Sequence, residues 1–164
     1  MIVREVAWDD PASVALRGDQ RAEIAGRYGS PDSEPGPAPT AADITAFFVA
    51  FTDAGEPVGC GGLRQLDSTE AEIKRMFVSA RHRGTGVSSA ILTALEDYAR
   101  GRGWLRLVLE TGDRQPEAVR FYEREGYASM PNFGYYAGLE SSLCFAKSLV
   151  ASDPAGDAAC EGCE

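Results

Sequence analysis

The sequence has a single histidine, His82, and only four cysteines, Cys60, Cys144, Cys160 and Cys163. Cys160 and Cys163 form a C-x-x-C pair in an acidic, Ala/Gly-rich tail. A tetrahedral metal site needs four ligands, and neither a second pair nor a neighbouring histidine is there to complete one, so no metal is expected. Cys60 and Cys144 fall in strand-like stretches and read as small buried thiols. Positive charge is scarce as well: 16 Lys and Arg stand against 25 Asp and Glu, for a net charge of −9. That balance excludes the broad basic face that general nucleic-acid binding requires. Long apolar runs are missing, since no segment reaches the roughly 18 residues needed to cross a bilayer. The N-terminal MIVREVAWDDP is interrupted by Arg4 and Glu5 and has no signal-peptide core. The expectation is a cytoplasmic protein that binds neither membrane nor nucleic acid.

The remaining composition is that of an ordinary globular domain, with 44% hydrophobic and 25% charged residues over 164 positions. A chain of this length buries about 70% of its unfolded surface and needs no staples. Residues 2–7 alternate as a strand, and 11–28 carry Val14, Leu16, Ile24 and Tyr28 at helical spacing, with Gly18 weakening the middle. The Pro/Gly-rich GSPDSEPGPAPT, 29–40, is an irregular loop. Strands follow at 44–52 and 57–66, where Gly59, Gly61 and Gly62 suggest a bulge or a close backbone approach. Residues 70–78 form another strand, with Glu72, Lys74, Met76 and Val78 on one face by period two. Residues 87–102 make the strongest helix, with Val87, Ile91, Leu92, Leu95 and Ala99 in one stripe and Gly103 beyond its end. A strand at 104–111 places Leu105, Leu107 and Leu109 on one face. A helix runs from Pro116 to Gly126, and strands at 127–130 and 140–149 complete the set. The order predicts one α/β domain over 1–150 with a mixed, mostly antiparallel sheet of about seven strands and helices on both faces. The tail 151–164 reads as disordered.

Within this order, RHRGTG at 81–86 lies between the strand that ends at Val78 and the helix that starts near residue 85. Amides at a helix N-terminus point at such a turn, and the helix dipole adds about half a positive charge there. Gly84 and Gly86 let a ligand reach the backbone, and Arg81, His82 and Arg83 supply cationic groups, so phosphate is the natural occupant. The lone histidine, held in this turn, reads as a phosphate or solvent contact. No Gly-Lys-Ser/Thr follows, which excludes a Walker loop. GTGVSS lacks the third glycine of the dinucleotide fingerprint.

MFVSARHRGTGVSSAILTALEDYA resembles the acyl-CoA-binding motif of the GCN5-related N-acetyltransferase (GNAT) superfamily, Arg/Gln-x-x-Gly-x-Gly/Ala, with Arg81, Gly84 and Gly86 in the matching places. Downstream, QPEAVRFYEREGY resembles the second family motif, which ends in Tyr-Glu-x-x-Gly-Phe/Tyr. The resemblance implies acetyl-CoA as co-substrate. The backbone of Met76, Phe77 and Val78 would hold its pantetheine arm, and residues 83–89 (Arg83, Gly84, Thr85, Gly86, Val87, Ser88, Ser89) would hold its diphosphate. Gln115 stands where the family often has Asn. The resemblance also implies Tyr122 as the acid that protonates the departing sulfur. It offers Glu72 as the base, though Glu72 can equally be a carboxylate paired with Lys74 or Arg106. Glu23 lies on a helix that lines acceptor sites in the family. Tyr135 and Tyr136 in NFGYYAG can wall an acceptor pocket or pack on the sheet. The implied activity is acetylation of a small amine: an amino acid, a polyamine or an amine antibiotic. The alternatives are acetylation of a protein N-terminus or lysine, and a non-catalytic acyl-CoA-binding module. A homodimer through the final strands is compatible with the same resemblance.

Overall fold

The structure is a computed structural model that describes residues 1–30 and 34–150. The tail, with the expected disorder and the Cys160/Cys163 pair, lies outside the described residues. Seven strands, β1 (Ile2–Val6), β2 (Ala46–Phe51), β3 (Pro57–Gln65), β4 (Glu70–Val78), β5 (Arg106–Gly112), β6 (Ala128–Met130) and β7 (Ser142–Ser148), form one sheet in the order β1-β2-β3-β4-β5-β7-β6. Only β4 and β5 run parallel, joined by the crossover helix α2 (Val87–Gly101). Helix α1 (Pro11–Tyr28) covers one face, and α2 with α3 (Pro116–Arg124) covers the other. The expected mixed sheet with helices on both sides is what forms.

Local chemistry sets the helix ends. Asp10 caps α1, its carboxylate accepting from the Ala12 amide at 2.9 Å, and Pro11 occupies the first turn. Gly29, at φ 77°, ends the helix with its amide on the Ala25 carbonyl. At α2 the cap is Gly86, at φ 88°, and no side chain bonds the first-turn amides. The buried stripe Val87, Ile91, Leu92, Leu95 and Ala99 packs over Leu63, Ala71, Leu107 and Leu109 in the main core. On the opposite face Leu16 of α1 meets Phe47, Val49 and Cys60. Burial pushes the Cys60 thiol up to about 12, so it stays a neutral core group. Leu105, assigned from its alternation to the face of Leu107 and Leu109, precedes the strand and is 49% exposed.

The main departure from period-two reading lies in β4. Between Cys60↔Phe77 and Gly62↔Lys74, two steps of β3 face three of β4, and the extra residue brings Arg75 to φ 58°. This bulge reverses the alternation. Glu72 and Lys74 stay on one face, while Met76 and Val78 turn to the α2 side. The expectation that all four share a face is therefore corrected, and the cause is the inserted residue. No helix of the described residues is long and apolar enough to cross a membrane.

The β3 glycines permit the close seating of α2. A Cβ at Gly59 would stand 2.8 Å from both Val87 Cγ1 and Ile91 Cδ1. Gly59→Val should cost about 1–3 kcal/mol in urea unfolding because α2 must lift. Gly18→Ala, on an open stretch of α1, should instead stabilise by about 0.5–1 kcal/mol.

Candidate active site

Strand β4 pairs with β5 only at Glu70↔Arg106, Ala71↔Leu107 and Glu72↔Val108, after which the two diverge. Ser79 donates its amide to Val58, so alternation directs the backbones of Phe77 and Ser79 to β3 and those of Met76 and Val78 into the gap. Both gap-facing carbonyls are held by side chains: Gln20 Nε2 donates to Met76 O at 3.0 Å, and Arg83 Nε donates to Val78 O at 3.0 Å. The amides of Met76 and Val78 remain directed at the gap.

Two cavities open along this divergence. The smaller, about 240 Å³, runs from Met76, Phe77 and Val78 to Arg83, Gly84 and Ser88 at the start of α2. The larger, about 450 Å³, lies between α1, the 34–38 segment, β4, β5 and Ser141–Ser142. Six residues line both: Gln20, Ile24, Met76, Gln115, Ala118 and Tyr122. They form the throat between them. Tyr122 is 5% exposed, its ring 5.6 Å from Tyr127 and 5.1 Å from Phe121. Burial raises its phenol well above the usual range, so it stays protonated.

The end near α2 suits an anion. Gly84 and Gly86 adopt φ 75° and 88°, and nothing crowds either position. The α2 amides lack a side-chain cap and no acidic residue occupies the first turn. Of the residues expected around the phosphates, Arg83, Gly84 and Ser88 line the cavity. The Val87 side chain is buried in the core, Ser89 Oγ donates to Glu125 at 2.8 Å, Thr85 bonds the His82 carbonyl, and Arg81 is exposed.

The larger cavity differs from expectation. Glu72 is 1% exposed and does not line it. Its two carboxylate oxygens accept separately from Arg64 at 2.5 Å and from the Tyr136 hydroxyl at 2.7 Å. Lys74 stands 3.7 Å away and also meets Glu34 and the Tyr136 hydroxyl. Buried beneath these partners and outside the cavity lining, this carboxylate is not presented to a substrate, so the structure makes Glu72 the anchor of a buried network. Tyr136 belongs to that network. Tyr135 is exposed and packs against Gly36, so neither tyrosine lines the cavity. Glu23 lines the smaller cavity, where it pairs with Arg83 and Arg27.

Sequence reasoning missed Glu110, Gln20 and Glu34, which all line the larger cavity. Glu110 comes from the middle of β5. Burial, with Glu34 and Glu72 nearby, raises its carboxyl to about 7 against opposing pulls from Ser142 and Lys74. One local signal existed: a carboxylate directly after the apolar run LVL. Gln20 and Glu34 carried none, because their roles depend on partners 56 and 40 positions away. Among the described residues no cluster of His, Cys, Asp and Glu could hold a metal ion.

Residues 14–127 match the family model described as Acetyltransferase (GNAT) family. An IAA acetyltransferase of Azospirillum brasilense is 35% identical over 103 residues, 62% of this chain and 67% of that protein. A Klebsiella pneumoniae structure named as an acyl-CoA N-acyltransferase superposes with a TM-score of 0.78 at 28% identity, covering 91% of this chain and 97% of the other. A GNAT family acetyltransferase from Elizabethkingia anophelis, solved with acetyl-CoA bound, shares the fold at a TM-score of 0.65 and 15% identity, covering 90% and 97%.

The buried network makes a prediction independent of any relative. Tyr136→Phe leaves Glu72 and Lys74 short of a hydrogen bond and should cost about 1–3 kcal/mol in denaturant unfolding. Tyr135→Phe should stay within about 0.5 kcal/mol of the parent.

Proposed function

Because the chain belongs to the GNAT acetyltransferase family, we propose that it transfers the acetyl group of acetyl-CoA to the amine of a small molecule, such as an amino acid, a polyamine or an amine antibiotic. The observation that carries this reading is the throat: two cavities of different character meet at Tyr122, and Glu110 lines the larger one. The covering of that cavity by the 34–38 segment and Ser141–Ser142 favours a compact acceptor over an extended peptide.

The residues present suit the co-substrate. The Met76 and Val78 amides can receive carbonyl groups of the pantetheine arm. The uncapped α2 amides, Gly84, Ser88 and Arg83 can receive the diphosphate. When bound there, acetyl-CoA supplies an activated acetyl group on a thiol of ordinary pKa, about 8.5.

An amine is mostly ammonium near neutral pH and needs to lose a proton before it can attack. Glu110 takes that proton on its carboxylate, a role its elevated pKa suits, and replaces Glu72 in this assignment. Tyr122 keeps a proton on its phenol oxygen at the throat, where a departing sulfur requires one. The amine thus loses a proton to Glu110, and the thiolate gains one from Tyr122.

Thiol release from acetyl-CoA should be observed with members of a small-amine panel. Turnover confined to peptides, or none with any amine, would overturn the assignment. Wild-type kcat/KM should rise with pH through about 7, as Glu110 ionises, and level off above it. Glu110→Gln should lose that inflection and about 10²–10⁴-fold in rate, and Tyr122→Phe should lose kcat within the same range with its fold intact. Full kcat in Tyr122→Phe removes the acid assignment.

A further inference from the structure

The smaller cavity contains a feature at odds with an anionic ligand, and its interpretation rests on the reading above that coenzyme binds there. Two carboxylates, Glu23 and Glu117, line the groove beside Arg83 and the Gly84 turn. Glu23 Oε2 accepts from Arg83 at 2.5 Å, its Oε1 accepts from Arg27 at 3.0 Å, and Arg27 also pairs with Glu117. The one arginine of RHRGTG that lines the cavity is therefore already bound to an anion of the protein itself.

Arg83 does not depend on that carboxylate for its position. Its Nε is fixed on the Val78 carbonyl, and its guanidinium lies 5.7 Å from the centre of the Phe77 ring. A guanidinium has five donors, so with Nε engaged the outer nitrogens can still form a bidentate fork to a phosphate. The Glu23 contact competes for that outer edge. It is also weak: the two side chains are 40% and 30% exposed, and ion pairs in such settings contribute little. A charge-assisted fork to a diphosphate is the stronger partner.

We propose that Glu23 is a coenzyme-exchange residue. Its carboxylate occupies Arg83 in the free protein, yields the guanidinium to the diphosphate when coenzyme binds, and reclaims it as spent coenzyme leaves. No covalent bond changes; one anion replaces another on a guanidinium anchored throughout by Val78. Glu23 thereby trades affinity for release, and its removal should tighten coenzyme binding.

The test is a double-mutant cycle read by calorimetry with acetyl-CoA on the intact protein, with thermal unfolding of each variant as a folding control. Glu23→Gln should lower the Kd by about two- to fivefold and slow coenzyme dissociation by a similar factor. In the Arg83→Gln background the same change should have no effect, because there is no guanidinium to contest. Unchanged or weaker binding in Glu23→Gln overturns the proposal. Equal tightening in both backgrounds also overturns it, since that result means general repulsion without exchange. If the wild-type protein binds no acetyl-CoA, the functional reading fails and this inference falls with it. If the wild type binds and turns over while the cycle shows no coupling, only the exchange is refuted.

Discussion

Strand β4 departs from β5 after three paired residues, and this loss of sheet pairing makes the site possible. An interior parallel strand normally satisfies its backbone on both sides. Here the extra residue at Arg75 and the splay beyond Glu72 leave Met76 and Val78 facing a gap. Their carbonyls are covered by Gln20 and Arg83, so what the gap retains is donors. The start of α2 lies at the same end and adds further donors, its cap being a glycine with no side chain to bond them. A groove lined with unfilled donors is suited to a ligand rich in carbonyl and phosphate oxygens.

The bulge carries a conformational cost. A non-glycine residue at positive φ is disfavoured by about 1–3 kcal/mol and persists only where surrounding structure enforces it. Around Arg75 that enforcement is visible. Its carbonyl accepts from the Cys60 thiol at 3.4 Å, and its guanidinium pairs with Glu34. The same Glu34 meets Lys74 and, through it, the Glu72–Tyr136–Arg64 network. The polar half of this sheet face thus ties β3 and β4 to Glu34 and to the turn that carries Tyr136. Glu110 is close enough to feel Glu72 and Lys74, but it lines the cavity. Two glutamates on one face therefore differ: Glu72, buried and held by Arg64 and Tyr136, supports the structure, while the half-buried Glu110, its pKa raised, lines the cavity.

Much of the fold was legible because its signals are local. Pro11, Gly29, Gly86, Gly103 and Pro116 mark helix ends by their own backbone preferences, and the α2 stripe is a simple periodicity. The glycine turn and the Tyr122 motif were readable for the same reason: each is a short run whose chemistry depends on its own spacing. The β3 glycines signalled a bulge here, but not that its extra residue would fall at Arg75 on β4, because arginine has no preference for positive φ. The reversal of Met76 and Val78 followed from it. The sequence left Glu72 between a base and an ion-pair partner because its neighbours Arg64 and Tyr136 arrive from another strand and a distant turn. Glu110 was passed over because a carboxylate in a strand looks the same in sequence whether its cavity is wet or dry.

Amide hydrogen exchange, residue by residue, with and without saturating acetyl-CoA, addresses the open edge most directly. The account predicts slowed exchange at Met76 and Val78 and at the first α2 amides, Val87, Ser88 and Ser89, with Phe77, already paired to β3, little changed. Coenzyme binding that leaves the Met76 and Val78 amides exchanging at their free rates would contradict it.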